Sequence, residues 1–322
     1  MIDAAIVGLG RWGQTLVTAV QGKSDKLRFT HAVSRNPDRL LDVTARHRLQ
    51  LVRGLEPVLA DPALDAVVLA TPHSLHCEQI IAIARAGKAV FCEKPLTLTK
   101  ADAVRAIEAC RDAGVVLGIG TDKRFFPSLR ELSRLVKGGE LGRILHLEAH
   151  FSNEVAGTFS EWRSSPEESP AGGMTGTGIH MLDALVALAG PVRHVQTLLL
   201  SHKPAPDPQD SLSALLEFAS GISGTLAVVR STPAFFRLHA FGREASAEAL
   251  GRTDLVVRRS GAEPQHMSFP PVDSVRANLE AFADAVAGVA PYPISISEIL
   301  DTVAAFEAIA EAAKSEGRIA QV

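Results

Sequence analysis

The chain has 322 residues, of which 46% are hydrophobic and 21% charged, and its formal net charge is -3. This composition excludes a disordered chain, and the length is sufficient for two globular domains. The small net charge gives no electrostatic support for nucleic-acid binding, and no apolar run reaches the roughly 18 residues of a membrane span.

Strands and helices alternate in the first part of the chain. Short apolar runs predict the strands, and the segments between them have helical patterns with capping residues, such as Thr99 before a helix and Gly114 after it. The predicted strands are 4–7, 27–34, 65–71, 88–92 and 115–120, and the predicted helices include 78–86 and 99–113. This alternation predicts an α/β domain over residues 1–121, with a parallel, doubly wound sheet.

The pattern changes after residue 121. Strands follow one another without helices between most of them, which is typical of an antiparallel sheet. The second domain is therefore predicted as α+β over residues 122–322. Its predicted strands are 143–151, 192–200, 211–218, 225–230 and 237–241, and its predicted helices are 128–136, 179–189, 274–287 and 297–314.

A glycine-rich turn follows the first strand and opens a helix. It reads Gly8-Leu9-Gly10-Arg11-Trp12-Gly13. In this context the first glycine permits the tight turn, the second lets the backbone approach a pyrophosphate, and the third allows close helix–sheet packing. The turn therefore predicts a dinucleotide site, although a glycine turn without a ligand is the simpler alternative.

The end of the second strand indicates which dinucleotide binds. A site selective for NAD places Asp or Glu there to accept from the ribose 2′-hydroxyl, whereas this chain has Ser34 and Arg35, with Arg39 in the next helix. Two guanidinium groups could bind a 2′-phosphate. NADP(H) is therefore favoured and NAD(H) is the alternative, as is a purely solvated role for the two arginines.

Glu93-Lys94-Pro95 follows the buried strand at 88–92. Ligands of open α/β sheets bind at the carboxyl ends of the strands, so Lys94 is placed as a proton-transfer group beside the dinucleotide. Each motif alone is weak, but their order and spacing indicate an oxidoreductase.

The remaining polar residues favour a cytoplasmic protein without a bound metal. The start, Met1-Ile2-Asp3, lacks a basic region before an apolar stretch, so no signal peptide is expected. The three cysteines have no metal-ligand spacing, and their odd number argues against an intramolecular disulfide framework. His73 and His76, three residues apart, do not form a persuasive metal site by themselves.

At this point the chain resembles the Gfo/Idh/MocA family over nearly its whole length. The family is named for glucose–fructose oxidoreductase, inositol dehydrogenase and a rhizopine-catabolism protein. The motifs that carry the resemblance are the N-terminal glycine turn, Thr71-Pro72 with His76, Gly87-Lys88 leading into Glu93-Lys94-Pro95-Leu96, Arg124-Phe125 with Pro127, Gly139-Glu140-Leu141-Gly142-Arg143, and Gly172-Gly173 before Gly178-Ile179-His180 and Asp183.

The resemblance implies a Rossmann domain followed by an open-faced, mostly antiparallel sheet that assembles a homodimer or homotetramer. It also implies hydride transfer between a nicotinamide and a sugar, cyclic polyol or related alcohol. In this family the bond before the proline of Glu-Lys-Pro is commonly cis, which here is the Lys94–Pro95 bond. Lys94 would hydrogen-bond the reacting oxygen and the nicotinamide ribose, whereas Glu93 would fix the neighbouring backbone.

Further roles follow from the same resemblance. His180 would exchange the proton of the alcohol, as an imidazole that titrates near neutrality can. Asp183 lies one helical turn after His180, on the same face. The residues next to the cofactor would be Thr71, Pro72, His73 and His76. Arg124, Trp162 and Arg163 could contact substrate, since arginines suit carboxylate or phosphate groups, but they could equally be surface residues.

The chain departs from the family pattern at Gly176. Family members usually carry Asp there, four residues before the histidine, and that carboxylate contacts the substrate. Its loss leaves two explanations. The enzyme acts on a different substrate, bulkier or itself anionic, or the protein is a catalytically silent sensor that binds NADP(H). The retention of both Lys94 and His180 favours the enzyme.

Overall fold

A computed structural model describes residues 1–34, 37–154, 165–202, 210–314 and 320–321. The chain divides into two units, the first comprising residues 1–122 and 273–296 and the second residues 123–272 and 297–322. None of the helices within the described ranges is long and apolar enough to cross a membrane.

The first unit contains a six-stranded parallel sheet with the strand order β3-β2-β1-β4-β5-β6. This is the doubly wound order of a Rossmann fold, and it confirms the α/β prediction. The strands are β1 (Ile2–Val7), β2 (Leu27–Val33), β3 (Gln50–Val52), β4 (Ala66–Leu69), β5 (Ala89–Cys92) and β6 (Leu117–Ile119). The helices of the first 122 residues are α1 (Arg11–Val20), α2 (Leu41–His47), α3 (Glu56–Ala60), α4 (His76–Arg85) and α5 (Lys100–Asp112).

The central strands are apolar throughout because helices cover both faces of the sheet. Every residue of β4 and of β5 is buried, as expected for a parallel sheet with two covered faces. The predicted cap of α5 is present, since Thr99 Oγ1 accepts the backbone N–H of Asp102 at 3.2 Å. The capping residue predicted from the sequence thus marks where α5 begins.

The helix α8 (Ser274–Val286) belongs to the first unit, although the sequence division after residue 121 places it in the second domain. Its Phe282 is fully buried, and the ring packs edge-on against Phe91 of β5 with 5.5 Å between centroids. Lys26 forms an ion pair with Asp284 at 2.7 Å. The apolar face of this amphipathic helix therefore completes the core beside β2 and β5.

The second unit contains a nine-stranded sheet with the order β14-β13-β12-β11-β7-β10-β9-β8-β15. Its strands are β7 (Ile144–Ser152), β8 (Val192–Leu200), β9 (Ser211–Phe218), β10 (Ser223–Val229), β11 (Phe235–Gly242), β12 (Ala245–Leu250), β13 (Asp254–Arg259), β14 (Gln265–Ser268) and β15 (Ala320–Gln321). All pairs are antiparallel except β7 with β10, which run parallel. This confirms the predicted α+β domain with a mostly antiparallel sheet.

The two faces of this sheet differ in polarity. Leu212, Ala214, Leu216 and Phe218 of β9 are buried, while the residues between them face the other way. On the buried face lie α6 (Pro127–Lys137), which contacts β12 and β13, and α7 (Gly178–Ala189), which contacts β7 and β10. The long helix α9 (Ile296–Lys314) completes the unit.

Candidate functional site

The turn after β1 brings three backbone segments into close contact. Gly8 has a φ of +93°, and a Cβ added to it would lie 2.5 Å from the carbonyl oxygen of Ala70. A Cβ on Gly13 would overlap the carbonyl oxygen of Gly8. A Cβ on Gly10, in contrast, would meet no described atom within 4 Å. Packing therefore requires the outer two glycines, and the middle one borders open space.

The N-terminus of α1 faces this open space and is suited to an anion. Gly10 is the N-cap residue, no side chain among the described residues caps the helix there, and none of its first-turn residues is acidic. Backbone N–H groups and the helix dipole therefore favour a negative group at this end. Leu9 is buried beneath the turn and Arg11 is exposed. The glycine turn thus fits the pyrophosphate of a dinucleotide.

The tip of β2 carries the residues predicted to select the cofactor. Ser34 is partly buried, and its backbone N–H lies 3.4 Å from the carbonyl oxygen of Val52. Arg35 lies outside the described residues, as does the side chain of Arg39. The preference for NADP(H) stays a prediction from the sequence.

The end of β4 and the loop after β5 are tied together by His76. Its Nδ1 lies 3.0 Å from the carbonyl oxygen of Pro95, and its Nε2 lies 3.1 Å from that of Thr71. The ring is fully buried between acceptors, and it holds the Glu93-Lys94-Pro95 segment in place. Thr71 Oγ1 donates to Gln79 at 2.6 Å, and His73, after Pro72, is also buried. These contacts give His76 a structural role beside the predicted cofactor site.

Glu93 is a buried carboxyl group at the end of β5. Burial raises its pKa to about 7, against the lowering effects of Lys94 and the Trp12 indole. The backbone N–H of Lys94 donates to its Oε2 at 3.3 Å. A Cβ on Gly120 would overlap this carboxyl group, so the carboxyl lies directly against the backbone that follows β6. Glu93 thus fixes the backbone from which the partly buried Lys94 projects, and the Lys94–Pro95 bond is cis.

The segment before α7 is packed tightly against β10. A Cβ on Gly173 would lie 2.8 Å from Arg230 Cδ, and one on Gly178 would lie 2.8 Å from Val228 Cγ2. Thr177 Oγ1 donates to the carbonyl oxygen of Gly173 at 3.0 Å. This packing fixes the start of α7, where His180 is 4% exposed in the first turn.

Asp183 and Arg124, both predicted to contact substrate, contact each other. Arg124 Nη1 lies 3.5 Å from Asp183 Oδ2 and donates to the Asp183 carbonyl oxygen at 3.2 Å. Arg124 Nη2 pairs with Glu298 at 3.1 Å. The Asp183 side chain is only 2% exposed. This buried ion pair supports the helix that carries His180, and a direct substrate contact stays a prediction.

Two residues of this region were missed by the sequence reasoning. Glu298 is 174 positions from Arg124, and no sequence pattern joins them. Arg230, which lies beside Gly173 and Gly176, closes an apolar predicted strand, and a charge at that position was the available signal. Trp162 and Arg163 lie outside the described residues. Within the described part of the chain, no group of three His, Cys, Asp or Glu could hold a metal ion.

Two family models match the chain. One is described as an oxidoreductase family with an NAD-binding Rossmann fold and matches residues 2–121. The other, the GFO/IDH/MocA C-terminal domain, matches residues 129–248.

Two relatives have a low sequence identity to this chain, but their matches extend over most of it. The 2,7-anhydro-N-acetylneuraminate hydratase of Escherichia coli K12 is 29% identical over 232 residues, covering 70% of this chain and 61% of that protein. The D-xylose 1-dehydrogenase (NADP(+)) 2 of Haloferax volcanii is 28% identical over 269 residues, covering 81% of each. The chain spans 61%, 53% and 40% of the length of three curated relatives.

A solved structure shares the fold over the whole chain. The aldose-aldose oxidoreductase of Caulobacter crescentus, complexed with glycerol, superimposes with a TM-score of 0.88 at 24% identity. The match covers 100% of this chain and 99% of that one.

The raised pKa of Glu93 makes stability depend on pH. The ordinary pKa of a glutamate is 4.5, so between pH 4.5 and about 7 the unfolded chain has released this proton while the folded chain still holds it. Wild type therefore loses stability as pH rises through this window, and the loss is complete above pH 7. Glutamine has no proton to release, so its contribution does not change with pH. From pH 4.5 to pH 8 the free energy of unfolding of Glu93→Gln should therefore rise relative to that of wild type by up to about 3 kcal/mol.

Urea unfolding at pH 4.5, 6 and 8 measures this difference, with Glu108→Gln, an exposed carboxylate of α5, as the matched control. A difference between Glu93→Gln and wild type that is the same at all three pH values would contradict the buried, protonated Glu93.

Proposed function

The chain belongs to the Gfo/Idh/MocA family, and we propose that it is an NAD(P)-dependent oxidoreductase of a sugar, cyclic polyol or related cyclic alcohol. The observation that carries the proposal is the glycine turn, whose Gly10 leaves the N-terminus of α1 open to a pyrophosphate. The match of both family models and the names of relatives such as D-xylose 1-dehydrogenase support the substrate class.

When bound, the nicotinamide supplies or accepts the hydride. Lys94 donates a hydrogen bond to the reacting oxygen, and the buried Glu93 and His76 hold its backbone at the end of β5. His180 gives or takes the alcohol proton from the first turn of α7. Asp183, held by Arg124, orients the helix that presents His180.

The cofactor is proposed to be NADP(H) in preference to NAD(H). Ser34 follows the last residue of β2, and the next residue along the chain is Arg35. A carboxylate at this tip would repel a 2′-phosphate, whereas arginine can bind it through two parallel hydrogen bonds.

The second unit is proposed to assemble a homodimer or homotetramer through the face of its sheet opposite α6 and α7. Leu198 of β8 and Leu215 of β9 are each 57% exposed, and Phe235 of β11 is 47% exposed. Side chains of this size exposed together on a sheet are a common feature of protein interfaces.

Cofactor preference is tested by the double variant Ser34→Asp, Arg35→Ala. Loss of a charge-assisted hydrogen bond costs roughly 1.5–3 kcal/mol, so NADPH affinity should fall by at least about tenfold. NADH affinity should change much less. Dissociation constants from fluorescence titration measure both, with Ser34→Ala as the control, and equal shifts for the two cofactors would refute the preference.

Catalysis is tested by Lys94→Ala and His180→Ala. Each should lower kcat by roughly 10²–10⁴-fold, because each removes a group that binds the reacting oxygen or moves its proton. NADP(H) affinity should stay within about a few-fold of wild type, and Asp183→Asn should have the smaller effect.

The assay follows NADPH absorbance with a panel of sugars, polyols and cyclic diols. Full turnover by His180→Ala would overturn the assigned role. NADPH binding by wild type without turnover on any compound would favour the catalytically silent sensor.

Assembly is tested by Leu215→Glu. A charge placed at the centre of an apolar interface should dissociate the oligomer, as measured by light scattering at micromolar concentration. The control is Val289→Glu, which changes an exposed side chain of the first unit. A wild-type chain that is already monomeric under these conditions would contradict the proposed assembly.

A further inference from the structure

The end of β6 lies at the edge of the parallel sheet of the first unit. β6 pairs with β5 on one side and, among the described strands, with no strand on the other. On the inner side the Gly120 N–H donates to the carbonyl oxygen of Cys92 at 2.8 Å. Successive residues of a parallel strand direct their backbone groups to opposite sides, so those of Ile119 point outward from the sheet. Backbone groups at such an edge need partners when they are withdrawn from water.

Tyr292 and Asn278 are hydrogen-bonded to this edge. The Tyr292 hydroxyl accepts the Ile119 N–H at 3.2 Å and lies 2.9 Å from the Ile119 carbonyl oxygen, which also accepts the N–H of Thr121. Asn278 Nδ2 donates to the same carbonyl oxygen at 2.9 Å, and its Oδ1 lies 2.7 Å from the Tyr292 hydroxyl. Asn278 belongs to α8 and is 1% exposed, and Tyr292 follows that helix. One hydroxyl and one amide thus contact both backbone groups of Ile119 and each other.

The residue after Ile119 connects this edge to the lysine. The Glu93 carboxyl group lies against the backbone of Gly120, where it would overlap any Cβ. The Gly120 N–H bonds the residue before Glu93, and the Glu93 carboxyl accepts the N–H of Lys94 at 3.3 Å. A shift at the end of β6 would therefore move the carboxyl group and, with it, the backbone of Lys94.

Other residues of α8 hold the same strand and the turn after it. Ser274 Oγ donates to Asp122 Oδ2 at 2.7 Å, and both side chains are buried. The Asp122 carboxyl is close enough to Glu93 to contribute to the raised pKa of that group. Phe282 packs on Gly118, where a Cβ would lie 2.8 Å from its ring. The helix therefore contacts this part of the chain before, at and after the end of β6.

We infer that Tyr292 and Asn278 are positioning residues for Lys94, which they reach through the end of β6 and the buried carboxyl beside it. The inference rests on the proposed function, and it assigns part of the lysine site to residues 273–296, the later of the two segments of the first unit. A reacting group must be held within a fraction of an ångström, and a misplacement of about 1 Å can cost roughly 100-fold in rate.

The kinetic test uses Tyr292→Phe, which removes the hydroxyl and keeps the ring. The substrate is the compound of the sugar, polyol and cyclic diol panel that wild type turns over fastest. With it, kcat should fall by about tenfold. The KM for this compound and the dissociation constant of NADPH should stay within about threefold, because the lysine is displaced while the binding groups are unchanged. Asn278→Ala should change kcat in the same direction.

A double-mutant cycle with Lys94→Ala separates positioning from a general loss of stability. If the tyrosine acts through the lysine, adding Tyr292→Phe to Lys94→Ala should change the residual kcat by less than about twofold. The matched control is Val286→Ala, which removes core packing from the same helix. This variant should keep kcat within about twofold of wild type at a temperature where both are folded.

Hydrogen–deuterium exchange of the full chain, followed by mass spectrometry, measures the same coupling without any substrate. In Tyr292→Phe the backbone amides of Gly120 and Lys94 should exchange about three- to tenfold faster than in wild type, since a lost hydrogen bond lowers the cost of local opening by that factor. Val286→Ala should leave both amides within about twofold of wild type.

Unchanged exchange at both amides in Tyr292→Phe would overturn the inference. The same loss of kcat in the wild-type and Lys94→Ala backgrounds would also overturn it, as would a raised KM with an unchanged kcat. If Lys94→Ala has no measurable turnover, the exchange rates decide. Absence of turnover by wild type on the whole panel, together with faster exchange in Tyr292→Phe, would refute the proposed function and leave the coupling to Lys94 standing.

Discussion

The close approach of backbone to backbone after β1 is the constraint on which the first unit depends. Gly8 and Gly13 occupy positions where any side chain would enter a carbonyl group of Ala70 or of the turn itself. Because both lack a Cβ, α1 can start directly after β1, close to the backbone that follows β4. The same packing directs the N–H groups at the start of α1 into the open space beside Gly10, so the fold and the anion site have one cause.

Buried polar groups then determine where Lys94 projects. Glu93 and His76 are both buried, and each contacts the backbone around Lys94. Keeping a carboxyl group in this environment costs stability near neutral pH, as its raised pKa of about 7 indicates. Such a cost is typical of groups that are retained for the position they impose rather than for stability.

Local patterns in the sequence were sufficient for much of the fold. Five of the six strands of the first unit, the cap at Thr99 and the start of α7 follow from apolar runs and capping residues, whose causes lie within a few positions, whereas the three-residue β3 was not predicted. Strands β12, β13 and β14 were not predicted, because β12 is rich in alanine, β13 carries three charged residues and β14 is mainly polar, so none has the composition typical of a strand. The parallel pairing of β7 with β10 and the packing of α8 on β5 depend on distant partners. An amphipathic pattern identifies the buried face of a helix but not the element that covers it.

The arginines of the second unit also show the difference between what a local pattern predicts and what distant contacts decide. The sequence identified Arg124, which follows β6, but the structure shows it in a buried ion pair with Asp183 and Glu298. Arg230 attracted no attention as the last residue of an apolar run, yet its guanidinium borders Gly176. Arg124 is compensated by two carboxylates of its own unit, one of them 174 positions away. Since a charge withdrawn from water is favourable only with a counter-charge nearby, the role of a buried arginine is decided by partners that its own stretch of sequence does not contain.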